Sequence, residues 1–222
     1  YGSDIQEVAP SFGASAICLF ENPDKPDSIS MPRKTPTKQK LAPESLWNAG
    51  QISDTRYAYD VIVNGPLRSM IKIKGMNWNT GNGFYEYEQY YTAYANQNYC
   101  RSKVHFNKFI QKGGIIISSG PEEVRDPEKI DQRENIVVDF IGGAIVVKDR
   151  YKPQYQYIPY YEGNHTFRVT PDEDNTFEYM VCTAWSEGTK LRNKTDFNKY
   201  VEEQAVQFNN PITYKFVKIE GK

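Results

Sequence analysis

The chain has 222 residues, of which 39% are hydrophobic and 25% are charged, and its formal net charge is -1. This composition excludes a disordered chain, and the nearly balanced charge gives no electrostatic basis for binding nucleic acid or an acidic membrane surface. No apolar run approaches the ~20 residues that a membrane-spanning helix requires, so no membrane span is predicted. The length allows one large β domain or two small ones, and we interpret residues 1–222 as a single domain.

Tyrosine and cysteine are the informative residue types. The chain has 17 Tyr, and although Tyr favours strands, its flat apolar face and its hydroxyl also suit the half-apolar rings of sugars. Cys18, Cys100 and Cys182 lack the close spacing of a metal or redox pair, which favours buried free thiols over one long-range disulfide. Phosphate-binding, dinucleotide-binding and zinc-protease motifs are missing from the sequence, so no cofactor and no metal site is predicted.

The N-terminal part of the chain predicts a strand followed by a long loop. Residues 11–20 are small and then apolar, which indicates a strand. Residues 21–47 are rich in Pro, Lys and Ser, and their number exceeds what an idle connection needs. We therefore expect the 21–47 loop to be functional, mobile or the cover of a sheet edge.

The middle of the chain predicts antiparallel hairpins. Apolar residues alternate over 57–63 and again over 67–73, on either side of a turn at Asn64-Gly65-Pro66. The next strand, 84–94, leads to a return strand at 99–109. Its two faces carry different side chains, with Tyr85, Tyr87 and Tyr91 on one and Glu86, Glu88 and Tyr90 on the other.

The C-terminal half predicts short strands and one helix. The strands lie at 115–118, 136–140, 144–148, 166–170 and 177–185, with a last one at 212–219. Thr195 is the expected N-cap of a helix whose apolar residues recur at helical spacing up to Phe208, and Asn210 and Pro211 end it. The predicted fold class is therefore mostly β, an antiparallel β-sandwich or supersandwich with one C-terminal α-helix.

His165 is the better catalytic candidate of the two histidines. It follows Tyr160, Tyr161, Glu162 and Asn164 in a loop that enters a strand, and sites collect in such loops on rigid β scaffolds. In this interpretation the tyrosines stack on a sugar ring, Asn164 binds a hydroxyl, and Glu162 or His165 transfers a proton. The alternative is a turn in which His165 donates to a backbone carbonyl.

Other polar and aromatic residues are candidates of lower specificity. Glycoside hydrolysis usually needs two facing carboxylates, and the sequence does not pair any of Glu86, Glu88, Glu162, Glu178 and Glu187. Trp185 is either a stacking platform or a core residue. The acidic run 172–175 lacks the spacing of a calcium loop, so a solvated turn is favoured. His105 shares a strand face with Arg101 and Lys103, and we interpret it as a solvated or packed residue.

Three segments together resemble an uncharacterised family of secreted bacterial proteins. They are Asn64-Gly65-Pro66-Leu67-Arg68-Ser69, the stretch 91–99 that ends in Ala95-Asn96-Gln97-Asn98-Tyr99, and Ala184-Trp185-Ser186-Glu187-Gly188 with the helix and Asn210-Pro211. The family occurs in the polysaccharide-utilisation loci of gut and marine Bacteroidetes, often near unsaturated uronyl hydrolases. The resemblance implies a galactose-mutarotase-like supersandwich, a periplasmic or cell-surface location, and a polysaccharide or oligosaccharide as the partner.

The resemblance also implies that this chain corresponds to the C-terminal part of a longer domain. Members of the family extend well beyond the position that corresponds to Tyr1, and their first blocks have no counterpart here. We therefore expect a missing N-terminal segment of the same polypeptide to be a partner of this chain. A second catalytic residue would then lie in that segment.

Three functions are compatible with these observations. The first is an enzyme that processes uronic-acid-containing, pectin-like glycans by hydrolysis or elimination, with Arg68 pairing with a sugar carboxylate and Trp185 as an accessory contact. The second is a non-catalytic glycan-binding module, which the surplus of Tyr favours. The third is a structural or epimerase-like supersandwich. Convergent polar groups in one cleft would favour the enzyme, and a flat aromatic strip would favour the module.

Overall fold

A computed structural model describes residues 14–20, 29–32, 55–79, 83–107, 114–120, 141–158, 164–186, 188 and 190–214. These residues form strands and one α-helix, α1 (Lys194–Asn209), with a 3-10 turn at Asp149–Tyr151. The strands are β1 (Ala14–Phe20), β2 (Ile29–Ser30), β3 (Arg56–Asn64), β4 (Arg68–Asn79), β5 (Phe84–Tyr94), β6 (Tyr99–Phe106), β7 (Gly114–Gly120), β8 (Ile141–Val147), β9 (Gln154–Ile158), β10 (Asn164–Val169) and β11 (Thr176–Trp185). The predicted fold class, mostly β with antiparallel sheets and one helix near the C-terminus, is confirmed.

The strands form two antiparallel sheets that share a core. The order in the five-stranded sheet is β2-β1-β7-β10-β9, and the order in the six-stranded sheet is β3-β4-β5-β6-β11-β8. One core cluster contains residues of both sheets, for example Leu19 and Val169 of the first with Phe106 and Phe177 of the second. The alternation of apolar and polar residues therefore points one face of each sheet into a sandwich interior.

Trp78 links the two sheets through a buried hydrogen bond. Its side chain is fully buried, and its Nε1–H donates a hydrogen bond of 3.0 Å to the Oγ of Ser30 in the opposite sheet. Buried indoles need such a partner because an unpaired buried donor is costly. The short strand β2 thus lies inside the segment predicted as the 21–47 loop, and it supplies the acceptor for the largest buried side chain.

Helix α1 packs on the outer face of the six-stranded sheet. Phe197 and Phe208 of the helix join Val146, Met180 and Cys182 of the sheet in a second, smaller apolar cluster. The helix covers the end of the outer face where β8 and β11 carry these residues. The outward side chains of β5 and β6 that lie away from the helix are left to form a groove, which is described below.

The helix N-cap is Asn193, so the prediction of Thr195 was wrong by two residues. The Oδ1 of Asn193 accepts a hydrogen bond of 2.9 Å from the backbone N–H of Asp196, while Thr195 is already inside the helix. Asn and Thr are both good N-caps, so composition alone did not separate the two positions.

The other sequence predictions have mixed outcomes. The strand predicted at 84–94 is confirmed to the residue, and the cysteines are free, with Cys18 and Cys182 buried. Strand β9 was missed because Gln and Pro surround its two tyrosines. Residues 212–214 carry no strand, contrary to the start of the predicted 212–219 strand. The strand predicted at 136–140 lies outside the described residues.

Candidate functional site

A polar groove of about 560 Å³ lies on the outer face of the six-stranded sheet. It forms where β5, β6 and β11 run side by side, because residues two apart on each strand point outward together. The charged, imidazole and phenol side chains that line it are Glu88 and Tyr90 of β5, Arg101, Lys103 and His105 of β6, Asp174 of the turn before β11, and Glu178 of β11. The groove thus combines carboxylates, cations, an imidazole and a phenol on one surface.

Glu88 and Glu178 stand on the two strands that flank β6. Glu88 is the cross-strand partner of His105, and Glu178 is the cross-strand partner of Lys103. Strands are about 4.8 Å apart, so the two glutamate backbones are separated by on the order of 10 Å. Both side chains point outward into the groove, with Lys103 and His105 of β6 between them.

Glu88 is held by two neighbours. The hydroxyl of Tyr90 donates a hydrogen bond of 3.0 Å to Oε2 of Glu88, and Nζ of Lys72 lies 3.8 Å from Oε1. The hydrogen bond to Glu88 raises the pKa of Tyr90, with a further contribution from its partial desolvation. Tyr90 therefore stays protonated at neutral pH and presents its ring to the groove with a fixed orientation.

Glu178 and His105 are each held by a neighbouring strand. Glu178 forms an ion pair with Lys148, the residue that follows β8. The Nδ1 of His105 lies 3.2 Å from Oγ1 of Thr176 on β11. The half-buried His105 is therefore packed and hydrogen-bonded, as predicted, but it also lines the groove. The carboxylate oxygens of the groove can accept hydrogen bonds from ligand hydroxyls while these contacts persist.

His165, the catalytic candidate from the sequence, lies in the other sheet. Tyr155 of β9 is hydrogen-bonded through its hydroxyl to Nδ1 of His165 at 2.7 Å. The Tyr155 ring also stacks on the imidazole with centroids 5.8 Å apart, and Tyr157 meets it edge-on at 5.5 Å. The structure thus places His165 in an aromatic cluster with both tyrosines exposed.

Arg68 and Trp185, the second-choice members of the predicted site, lie in the other sheet from His165. Arg68 begins β4 as an exposed residue, and the half-buried Trp185 ends β11, so both belong to the six-stranded sheet. Trp185 lines a cavity of about 420 Å³ with Tyr99 and Gly188. Tyr160, Tyr161 and Glu162 lie outside the described residues, and Asn164 begins β10 next to His165. Their shared role in one site stays a prediction.

A third surface is apolar and lies on the inner face of the six-stranded sheet. Its cavity of about 420 Å³ is lined by Tyr57, Tyr59, Ile71 and Tyr91, and Tyr59 is 77% exposed. Desolvation by burial is the largest cause that raises the pKa of Tyr91, to about 12. This surface offers few hydrogen-bonding groups for hydroxyls, which makes it a weaker candidate than the groove for a sugar.

The groove was not predicted from the sequence, although the residues that β5 and β6 contribute to it were each assigned to one face of a strand. The pairing of Glu88 with Tyr90 on one strand, and of Arg101 with Lys103 and His105 on another, follows from the period of two. The missing information was that β11 lies next to β6. Charged residues at alternate positions of two adjacent strands are the signal that would have pointed to this surface.

Within the described part of the chain, no group of His, Cys, Asp or Glu side chains is arranged to hold a metal ion, and no helix has the length and apolarity to cross a bilayer. No curated protein and no solved structure is significantly similar to the chain. Residues 1–213 match the family described as a domain of unknown function, DUF4861. Because this match covers most of its length, the chain belongs to the DUF4861 family.

Proposed function

We propose that this chain is a carbohydrate-active protein of polysaccharide utilisation that holds an oligosaccharide in the groove between β5, β6 and β11. The observation that carries the proposal is the side-by-side arrangement of the Tyr90 ring with Glu88, Lys103 and Glu178. Sugar rings bind by placing an apolar face on an aromatic ring while charged and planar polar side chains take the hydroxyls. The groove supplies both kinds of contact on one surface.

The size of the groove fits such a ligand. Its volume of about 560 Å³ falls within the ~300–1,000 Å³ of common ligand sites. The groove lies on rigid neighbouring strands, and the cross-strand pairs fix the spacing of its side chains. A binding role is the function that this geometry supports best, because each glutamate already has a cation or a phenol as its partner.

Cleavage of the glycan, by hydrolysis or elimination, is the second candidate function. It is favoured by Glu88 and Glu178 on the two strands that flank β6, since two carboxyl groups near one bond can act as acid and base. His165 and Glu162 remain the alternative pair that the sequence proposes. The resemblance described above supports a uronic-acid-containing, pectin-like substrate and a location in the periplasm or at the cell surface.

The test of the proposed function compares two tyrosines in different sheets. Calorimetric titration of the wild type with pectic and neutral oligosaccharides should give binding to at least one class. Tyr90→Ala should weaken that binding by about fivefold or more, equivalent to ~1 kcal/mol for one aromatic contact. Tyr155→Ala removes an exposed ring of the His165 cluster and should leave the affinity unchanged. Loss of binding in Tyr155→Ala but not in Tyr90→Ala would indicate that the glycan binds at the His165 cluster instead of the groove.

A further inference from the structure

The guanidinium of Arg101 lies inside an aromatic cage at the helix side of the groove. Its central carbon is 5.6 Å from the ring centroids of both Tyr94 and Tyr99 and 5.4 Å from the ring of Phe208. These rings come from β5, β6 and helix α1, so the sheet and the helix fix the position of the guanidinium together. Cation–π contacts of this kind hold a cation but do not neutralise it.

Arg101 has no anionic partner in the described part of the chain. Its Nε is buried and makes no hydrogen bond there, and no salt bridge of the described residues includes it. A cation that is partly removed from water is costly unless an anion or hydrogen-bond acceptors compensate it. Within the described residues, the guanidinium of Arg101 therefore lacks a negative group that would balance its charge.

The groove itself does not supply that negative group. Glu88 is engaged by Tyr90 and Lys72, and Glu178 is engaged by Lys148. Asp174 accepts a hydrogen bond from the backbone N–H of Thr176, which is the cross-strand partner of His105 and lies four positions along β6 from Arg101. In the strand register, Arg101 lies between Thr92 and Met180, neither of which carries a charge. The exposed Lys103 is two residues away on the same face and also lines the groove. Arg101 thus has no carboxylate beside it in the register, whereas Lys103 lies opposite Glu178.

We propose that Arg101, with Lys103, forms an oxyanion subsite of the groove, so that the glycan it takes carries carboxylate or sulfate groups. This inference rests on the proposed function. The three rings lie within 5.6 Å of the guanidinium carbon, and the terminal N–H groups of an arginine form a planar fork that matches an oxyanion. Lys103 adds a point charge with flexible reach. An acidic sugar unit can then place its ring at Tyr90 and its anionic group at Arg101.

The test uses a galacturonate tetramer, its methyl ester and a sulfated neutral tetramer as probes for the full chain. Wild-type protein should bind the free acid or the sulfated probe at least about tenfold more tightly than the methyl ester, with affinity that falls as salt rises. Arg101→Met should weaken binding of the anionic probe by about tenfold to a hundredfold, and Arg101→Lys should restore only part of it. Neither variant should change the affinity for the ester.

The matched control is Lys199→Gln, which removes a positive charge from the exposed side of helix α1 and should leave all affinities unchanged. Thermal unfolding of each variant checks that the helix stays docked, and Arg101→Lys provides the test if Arg101→Met unfolds. A preference for the sulfated probe over the free acid would identify sulfate as the anion. Equal binding of the acid, the ester and the sulfated probe would overturn the subsite while the proposed function stands. Binding of no probe, charged or neutral, would overturn the proposed function and the subsite with it.

Discussion

Glu88 and His105 face each other as cross-strand partners on β5 and β6, and both side chains line the groove. On its other side, His105 meets Thr176 of β11, a residue 71 positions further along the chain. Residues of β5, β6 and β11 therefore surround the imidazole of His105. A short hairpin connects β5 to β6, whereas β11 lies much later in the sequence. The chemistry of the groove depends on this order of strands.

The close approach of Gly75 to Tyr87 gives the first prediction. A Cβ at Gly75 would lie 2.3 Å from the ring of the buried Tyr87, whereas a Cβ at Gly143 would have no heavy atom within 4 Å. Gly75→Ala should therefore lower the free energy of unfolding by ~1–3 kcal/mol through overpacking. Gly143→Ala should be neutral or slightly stabilising. Urea unfolding of both variants checks this, and equal effects would contradict the described packing of Tyr87.

The helix N-cap gives the second prediction. Asn193 both accepts from the N–H of Asp196 and donates to its carboxylate, so Asn193→Ala should destabilise the protein by ~1 kcal/mol. Thr195→Ala lies within the first turn of the helix and should change the stability by less than half as much. The comparison of the two melting temperatures decides between the capping residues. A larger loss of stability in Thr195→Ala than in Asn193→Ala would support Thr195 as the N-cap, as the sequence alone predicts.

The buried thiol of Cys182 gives a prediction about alkaline pH. Burial raises the pKa of Cys182 to about 12 from an ordinary value of 9.0. The folded state therefore keeps this proton while the unfolded state releases it, and the associated stability is lost as the pH rises from 9 towards 12. Cys182→Ala should reduce the slope of the unfolding free energy against pH in that range by up to ~1.4 kcal/mol per pH unit. Parallel slopes for the wild type and the variant would show that the thiol does not contribute.

The two glutamates of the groove give a prediction about cleavage. If the chain cleaves its glycan through them, Glu88→Gln and Glu178→Gln should each lower the rate by ~10²–10⁴ while binding changes little. His165→Ala serves as the matched comparison for the other candidate site and should keep most of the activity. Product formation from uronic-acid oligosaccharides, followed as new reducing ends and as unsaturated products, is the measurement. Binding without turnover in the wild type would exclude cleavage of those substrates.

Local patterns in the sequence were enough to predict most of the strands but not the site. The alternation around Tyr85 and Tyr87 predicted the correct strand and separated its two faces, because burial of one face sets the period of two. The helix was found from its apolar spacing, with an error at the N-cap of two residues. These predictions succeeded because each depends on interactions between residues that are near each other in the sequence.

The groove depends on contacts that no local pattern contains. Tyr90 and Lys103 could be assigned to strand faces, but their position opposite Glu178 requires the pairing of β6 with β11. The contact of Arg101 with Phe208 requires the helix to dock beside that pair. The sequence favoured His165 because aromatic and polar residues lie close to it in the chain. The structure adds Tyr155 of β9, a strand that the sequence did not predict.

The most direct test of the central claim is to locate a bound glycan on the full chain by nuclear magnetic resonance. Titration with the oligosaccharide that binds most tightly should shift the amide signals of β5, β6 and β11 around Glu88, Lys103 and Glu178. Signals of the His165 cluster and of the inner-face residues Tyr57 and Tyr59 should stay in place. Shifts confined to His165 and Tyr155, or to the inner face, would contradict a glycan site in the groove.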